Sequence, residues 1–302
     1  MLTIAYLTSR LNPRLQWALD GLKNQSQGRE FELIVVDYHA EKEGRKESIS
    51  HGRDLAFLHV TPKPSALQGK HKQTSKDYFA AANARNTAAC YAKGSHICYL
   101  DDLTALGPEW FDNVWHCAQS QYIMCGSYKK VKDMVVENGV LLEHTEFPQG
   151  VDSRWSMGSD NGLVHCSGGQ LFGCSFCLPL NWYLSVGGQD EIYDGLGAED
   201  YSLGLNLEKA GYPIYYNRNT LTYESEEAHY EDEAMIRLDK RMGNTYSSNV
   251  LLEQLQASHT PRIHGNDYPI EELRALCQAG KPFPLPVKNK KDWRDGQPYK
   301  EM

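Results

Sequence analysis

The chain has no run of about 18 consecutive apolar residues, so nothing in it reads as a membrane span. It opens MLTIAYLTSRLNPR, which lacks the basic start and long apolar core of a secretory signal. Cysteine is sparse, 8 in 302 residues, scattered and often within apolar runs, which excludes a disulfide scaffold and points to a reduced, cytoplasmic setting. A basic excess is also missing: 31 Lys and Arg against 39 Asp and Glu leave a formal charge of −8. A protein that coats nucleic acid needs a net basic face, so nucleic acid is disfavoured as the main partner, although a local basic groove is compatible with this charge. No glycine follows the first apolar run, where SRLNPRLQ stands, so a glycine-rich phosphate loop is absent. No internal repeat is present.

What is there is an ordinary globular composition, 41% hydrophobic and 23% charged, on enough chain for one large domain or two small ones. Short apolar runs alternate with helical patterns through the first hundred residues. Residues 3–7, 31–36, 55–60 and 97–100 read as buried strands. Asn12 and Pro13 supply an N-cap and a first-turn proline for a helix whose face carries Leu11, Leu15, Ala18, Leu19 and Leu22. The Ala-rich segment 78–92 is helical by propensity. This pattern predicts an α/β fold with a mostly parallel sheet covered on both faces. Such sheets bind ligands at the carboxyl ends of their strands, where Thr8, Asp37 and Asp101-Asp102 fall.

The second half is less regular. A helix is expected over 108–118, a hairpin about Asn138-Gly139, a loop-rich stretch over 147–169, a strand near 173–178 and a helix from about Asp200. From about Arg237 the chain reads as helical and charged, and after Lys281 as extended.

Two features carry chemistry on their own residues. Adjacent carboxylates closing a buried strand, Asp101-Asp102, repel each other unless a cation or hydrogen-bond donors neutralise them; Mg²⁺ or Mn²⁺ holding a diphosphate would do so, and so would a plain capping role in water. Glu199-Asp200 opens a helix behind a Gly-rich loop, where a carboxylate gains from the helix dipole and suits either a cap or a general base. His229 stands alone among acids. Cys174 and Cys177 form a CxxC near His165-Cys166, but strand alternation would put them on opposite faces and no second CxxC follows, which argues against zinc. Lys70, His71, Lys72 and Lys76 form a basic loop. Trp155, in the Gly-rich loop, is the better sugar platform; Trp182 reads as core.

The stretches IAYLTSRLNPRLQWALDGLKNQ, FELIVVD, AAANARNTA, ICYLDDLTALGPEWFDN, GGQLFGCSFCLPLNWYLSVGGQDE and GLGAEDYSLGLNLEKAGYPI run in the order found in GT-A fold glycosyltransferases of the large family 2 type, and the chain resembles that family over about residues 3–230. Its second half resembles the β-1,4-galactosyltransferases. The resemblance implies a metal-dependent transfer of sugar from a nucleotide-sugar donor, UDP preferred, to an acceptor hydroxyl, with inversion. It implies that Thr8, Ser9 and Arg10 line the nucleotide pocket, that Asp37 bonds the base, and that Asn83, Arg85 and Asn86 lie near base or ribose. Asp101 would face ribose or sugar, and Asp102 would bind Mn²⁺ or Mg²⁺ with His229, which lies 29 residues after Asp200. Asp200 would be the base, with Glu199 binding acceptor or donor sugar. One departure is Leu103, where the family often has a third acid. The expected organisation is a glycosyltransferase domain over 1–236, with a nucleotide half (1–105) and an acceptor half (106–236), followed by a C-terminal region over 237–302. A nucleotidyltransferase would have the phosphate loop this chain lacks; a non-catalytic sugar- or partner-binding module would keep the fold without needing Asp200 and His229.

Overall fold

The computed structural model describes residues 1–74, 77–158, 162–195, 197–229 and 268–286. The centre of the fold is β1 (Leu2–Thr8), an uninterrupted apolar run in which every residue is buried. It lies parallel between β2 (Phe31–Asp37) and β4 (His96–Asp101), with β3 (Leu58–Val60) beyond β2. The sheet then continues through β9 (Ser175–Pro179), antiparallel to both β4 and β6 (Ile123–Glu137), to β10 (Ile214–Ser225), parallel to β6, and β5 (Thr104–Leu106). Two strands branch off: β7 (Val140–Val151) on β6 and β8 (Val164–His165) on β10. One sheet thus crosses the boundary at residue 105 through the β4–β9 pair.

Alternation along the central strands divides the core in two. Ala5, Leu7, Ile34, Val36, Ile97 and Tyr99 face α3 (Ala81–Tyr91), α5 (Leu180–Ser185), α6 (Glu199–Lys209) and α7 (Ile270–Gln278). Ile4, Tyr6, Leu33, Val35, Cys98 and Leu100 face α1 (Leu15–Ser26) and α4 (Trp110–Cys117), with α2 (Arg45–Ser50) alongside. Because the strand ends are in register, Thr8 with Asp37 and Leu7 with Asp101, one edge of the sheet presents these polar residues side by side.

Several local expectations shift. Helix α1 begins at Leu15, capped by Arg14 in the left-handed region (φ 57°), and Asn12 is not its cap. The Pro13 carbonyl instead accepts from the Tyr6 hydroxyl (2.6 Å) and the Leu103 N–H (3.1 Å), which holds residues 11–13 in a loop and leaves Leu11 52% exposed. The Asn138-Gly139 turn forms as expected, both residues at positive φ (48° and 74°). Strand β7 runs on through Val151, into the stretch read as loop. Strand β10 has no counterpart in the sequence reading, because Asn217-Arg218-Asn219 interrupts its pattern at a bulge between Tyr216 and Leu221.

All eight cysteines are free, and among the described residues no helix is long and apolar enough to cross a membrane. The helical region expected from Arg237 lies outside the described residues up to 267; α7 falls within it.

Candidate active site

At the end of β1 the Thr8 hydroxyl donates to Asp102 Oδ2 (2.7 Å) and the Arg10 guanidinium to Asp102 Oδ1 (3.2 Å). Arg10 also donates to the Ala228 carbonyl at 3.4 Å, which brings the 3₁₀ turn Glu227–His229 to the Asp102 side of the cleft. The His229 side chain itself lies outside the described residues. Ser9 is buried between these two partners of Asp102.

Leu103, at the position of the missing acid, is fully buried with φ 62°. Its N–H bonds the Pro13 carbonyl and its own carbonyl accepts from the Ser225 N–H (3.2 Å). These two bonds fix a conformation that a leucine seldom adopts. Position 103 therefore belongs to the core, not the cleft. Leu103→Asp, which would restore the acid, is expected to lower stability by about 3 kcal/mol through an unpaired buried carboxyl. Thermal unfolding with and without Mn²⁺ tests this; an undiminished melting temperature together with tighter Mn²⁺ binding would turn residue 103 outward.

Asp37 is wholly enclosed. Arg45 donates to both its oxygens (2.6 and 3.2 Å), the His39 N–H to Oδ1 (2.9 Å), and His59 Nε2 lies 3.1 Å from Oδ2. Burial alone would raise its pKa, but the hydrogen bonds from His59 and Arg45 outweigh it and hold the carboxyl below its ordinary value. Arg45 also donates to the Leu11 and Arg10 carbonyls, so Asp37 anchors the loop after β1 through this arginine.

Helix α3 sends its three motif residues to different places. Asn86 is saturated inside the protein: its amide nitrogen donates to the Gln189 carbonyl (2.9 Å) and Glu191 (2.8 Å), and its oxygen accepts from the Tyr183 hydroxyl (2.7 Å) and the Gln189 N–H (3.0 Å). Asn83 is fully buried, its oxygen accepting from Lys63 Nζ (2.9 Å) and its nitrogen donating to the Lys63 carbonyl (3.2 Å); the same ammonium pairs with Glu191 at 2.7 Å. Both asparagines brace α3 against the segments that carry Lys63, Tyr183, Gln189 and Glu191. Arg85 alone reaches the cleft. Its guanidinium donates to Asp101 Oδ1 (2.9 Å), to Glu199 Oε1 (2.8 Å) and to the Gly173 carbonyl (3.2 Å).

Asp200, the second residue of α6, accepts from the Gly173 N–H (2.6 Å) and the Tyr201 N–H (2.7 Å). Burial, then the neighbouring Glu199, pushes its carboxyl up to about 6 against the pull of Arg85. Asp101 is pushed up to about 7, by burial first, with Arg85 opposing and Glu224 and Asp102 adding to the rise. Its side chain is nonetheless 39% exposed, so water reaching the outer oxygen tempers that rise. The structure thus gathers Asp101, Glu199 and Asp200 around one buried guanidinium, with Asp102 on Arg10 beside them.

Two residues that sequence reasoning passed over build this arrangement. Asp194 accepts from the Ala82 and Asn83 N–H groups (2.7 and 3.2 Å), capping α3 from outside the helix. Its only signal in the sequence is an acid between the matched GGQDE and GLGAED stretches. Gly173 approaches the guanidinium so closely that a Cβ there would lie 2.5 Å from Arg85 Nη2. Glycine after an aromatic at a strand start was the available clue.

The remaining candidates lie apart. Lys72 pairs with Asp77 (2.5 Å) and Lys70 with Glu41 (3.5 Å), and Lys70 and His71 line a cavity shared with Pro282 and Phe283, while Lys76 lies outside the described residues. Trp182 stacks on Tyr212 (4.2 Å between centroids). Trp155 lies under Lys129 and Arg218. Cys174 Sγ points to the Gly126 carbonyl, whereas Cys177 sits in the opposite core layer with Cys98. Among the described residues no three His, Cys, Asp or Glu side chains converge as a metal site. Asp102 offers the hard oxygen that Mg²⁺ or Mn²⁺ prefers, and such ions take their other ligands from phosphates and water, so the donor chemistry fits.

No protein-family model and no curated protein sequence matches the chain. Among solved structures it is similar to S. aureus TarS 1–349 in complex with UDP, with TM-score 0.50 and 11% identity over 74% of this chain and 60% of that one. It is also similar to GalNAc-T7 with UDP, GalNAc and Mn²⁺, with TM-score 0.51 and 12% identity over 79% of this chain and 44% of that one. The chain has the GT-A fold. It spans less than two thirds of either neighbour's length, and at these identities the likeness concerns the GT-A fold alone. Neither neighbour supports the galactosyltransferase likeness of the second half.

Proposed function

We propose that this GT-A chain transfers a sugar from a nucleotide-sugar donor, UDP-linked, to an acceptor hydroxyl. The observation that carries the reading is Arg85, which ties the strand-end acid Asp101 to the helix acid Glu199, with Asp200 next to it in the chain. The two fold neighbours, seen with UDP, give the reading its donor class. In this reading the nucleotide lies at the ends of β1 and β4, by Thr8, Ser9 and Arg10, and Asp101 faces the ribose or the sugar. Asp37 stabilises the loop that receives the base through Arg45, and Asn83 and Asn86 serve as its scaffold.

Asp200 takes the proton from the acceptor hydroxyl as that oxygen attacks the anomeric carbon from the face opposite the diphosphate. Inversion follows from this single displacement, which needs no protein nucleophile. Glu199, held by Arg85, orients the acceptor or the donor sugar. Asp102, with His229 as a second donor, would hold Mn²⁺ or Mg²⁺, which when bound supplies positive charge to the leaving diphosphate.

A thermal-shift screen of UDP-, GDP- and TDP-sugars, with and without Mn²⁺, tests the donor site. A donor at 100 times its dissociation constant stabilises by about 2.7 kcal/mol, a rise of several degrees. Stabilisation by UDP-sugars is expected; a flat response to all three classes would sink the reading.

A further inference from the structure

A cavity of about 540 Å³ opens apart from the Arg85 cleft, at the carboxyl ends of β2 and β3. Parallel sheets place ligands at such ends, and a volume of this size suits a small organic molecule. Three stretches enclose it: residues 38–42 after β2, residues 61–71 after β3, and residues 282–285, which follow α7. The nucleotide was placed above at β1 and β4, and none of the residues named there lines this cavity.

Its walls are apolar and preset. Pro62, Pro64 and Pro282 have their backbone φ fixed by the pyrrolidine ring. The Tyr38 ring is set by its hydroxyl, which donates to Asp77 Oδ1 at 3.0 Å. Phe283 is set edge-on against Tyr91, with 6.1 Å between ring centroids. Walls held in this way lose little freedom when a flat body packs on them.

The polar groups that these walls leave over are mainly donors. Gln68 is buried, 6% exposed. Its Oε1 accepts from the Ala80 N–H at the start of α3 (3.3 Å), and its amide nitrogen has no protein partner among the described residues. Lys42, exposed at the rim, has no ion pair among the described residues. Lys70 faces Glu41 at 3.5 Å, but the two side chains are 70% and 69% exposed, a pair that contributes little in water. Glu41 is the one acid in the lining, and Lys63 turns its ammonium inward to Glu191. We infer that the cavity is a second ligand site, one that takes a small organic anion: an aromatic carboxylate or phosphate monoester whose ring packs on Tyr38 and Phe283 and whose oxygens accept from Gln68, Lys42 and Lys70. A ligand without acceptor oxygens would desolvate the Gln68 amide with no bond in return. This site does not depend on the glycosyltransferase reading.

The test is calorimetric titration of the full chain with α-naphthyl phosphate, α-naphthoate and the neutral α-naphthalenemethanol, at low and high salt. At least one anion should bind, more weakly at high salt, and the neutral alcohol should bind at least about tenfold more weakly. Which anion binds more tightly separates phosphate from carboxylate. Gln68→Glu keeps an oxygen for the Ala80 N–H and turns the free donor into an acceptor, so it should weaken the anion at least about tenfold. Lys42→Gln/Lys70→Gln alters only the exposed rim, leaves the core intact and should weaken it by about tenfold. Both variants should bind UDP as the wild type does, and saturating UDP should leave the affinity for the anion unchanged. Failure of both anions to bind, equal binding of the neutral alcohol, an unaffected Lys42→Gln/Lys70→Gln variant, or displacement of the anion by UDP would each overturn the inference. A wild type that binds the anion as expected but not UDP would fault the donor reading alone.

Discussion

Asp200→Asn is expected to slow sugar transfer by about 10²–10⁴-fold, or ~3–5 kcal/mol in the barrier, with UDP affinity little changed. An amide cannot take the acceptor's proton. The structure adds a refinement, because both Asp200 oxygens accept backbone N–H groups, from Gly173 and Tyr201. An asparagine keeps one of these bonds and turns its NH₂ toward the other donor, so a modest loss of stability accompanies the loss of rate. The pH dependence follows from the same carboxyl. A general base acts when ionised, and burial with Glu199 places this group at about 6. Wild-type turnover should therefore reach its plateau above about pH 6 and fall roughly tenfold per unit below it. That acid limb should vanish in the residual activity of the asparagine variant. Rate and UDP affinity measured on the same preparations, once a donor is found, decide the matter; near wild-type transfer would move the base to Glu199.

The second large effect is structural. Arg85 is 2% exposed at its side chain and pairs with Glu199, itself 12% exposed, as well as with Asp101. Arg85→Met removes the cation and leaves a crowd of carboxyls without it. Breaking one partner of a buried pair costs about 3–5 kcal/mol, which for a chain of this size is on the order of 10 °C in melting temperature. The loss should be greatest at neutral pH, where the acids are ionised, and should shrink as pH falls toward 5 and the acids of raised pKa, Asp101 and Asp200, take up protons. Differential scanning calorimetry of wild type and variant between pH 5 and 8 measures this. A pH-independent difference would show that Arg85 contributes by packing alone. Arg85→Lys should recover only part of the loss, since an ammonium cannot match the fork that reaches Asp101, Glu199 and the Gly173 carbonyl together.

Much of the cleft is legible in the amino-acid sequence itself. A parallel strand covered on both faces is apolar until it leaves the sheet, so the first polar residues after 3–7, 31–36 and 97–100 mark its carboxyl edge: Thr8, Asp37 and Asp101-Asp102. The Asn138-Gly139 turn was legible for a similar reason, since only residues that accept positive φ at both centres close a two-residue hairpin. Local sequence carries these features because local sterics and burial impose them.

Tertiary structure decided what each polar group meets. Asn83, Arg85 and Asn86 stand within one helical turn, yet two of them are consumed by the interior and one by the cleft. Arg85 finds Glu199 across 114 residues and Asn86 finds Glu191 across 105, distances over which no periodicity reports. Asp37 looked like a ligand group and is enclosed by Arg45 and His59, because the loop after β2 folds back over its end. Leu103 looked like a lost metal ligand and is a core residue, because its backbone is turned by Pro13 and Ser225. Propensity and pattern act through neighbours in sequence, whereas a charge buried in the cleft is settled only by the opposite charge that the packing of β4, α3 and α6 brings within hydrogen-bond reach.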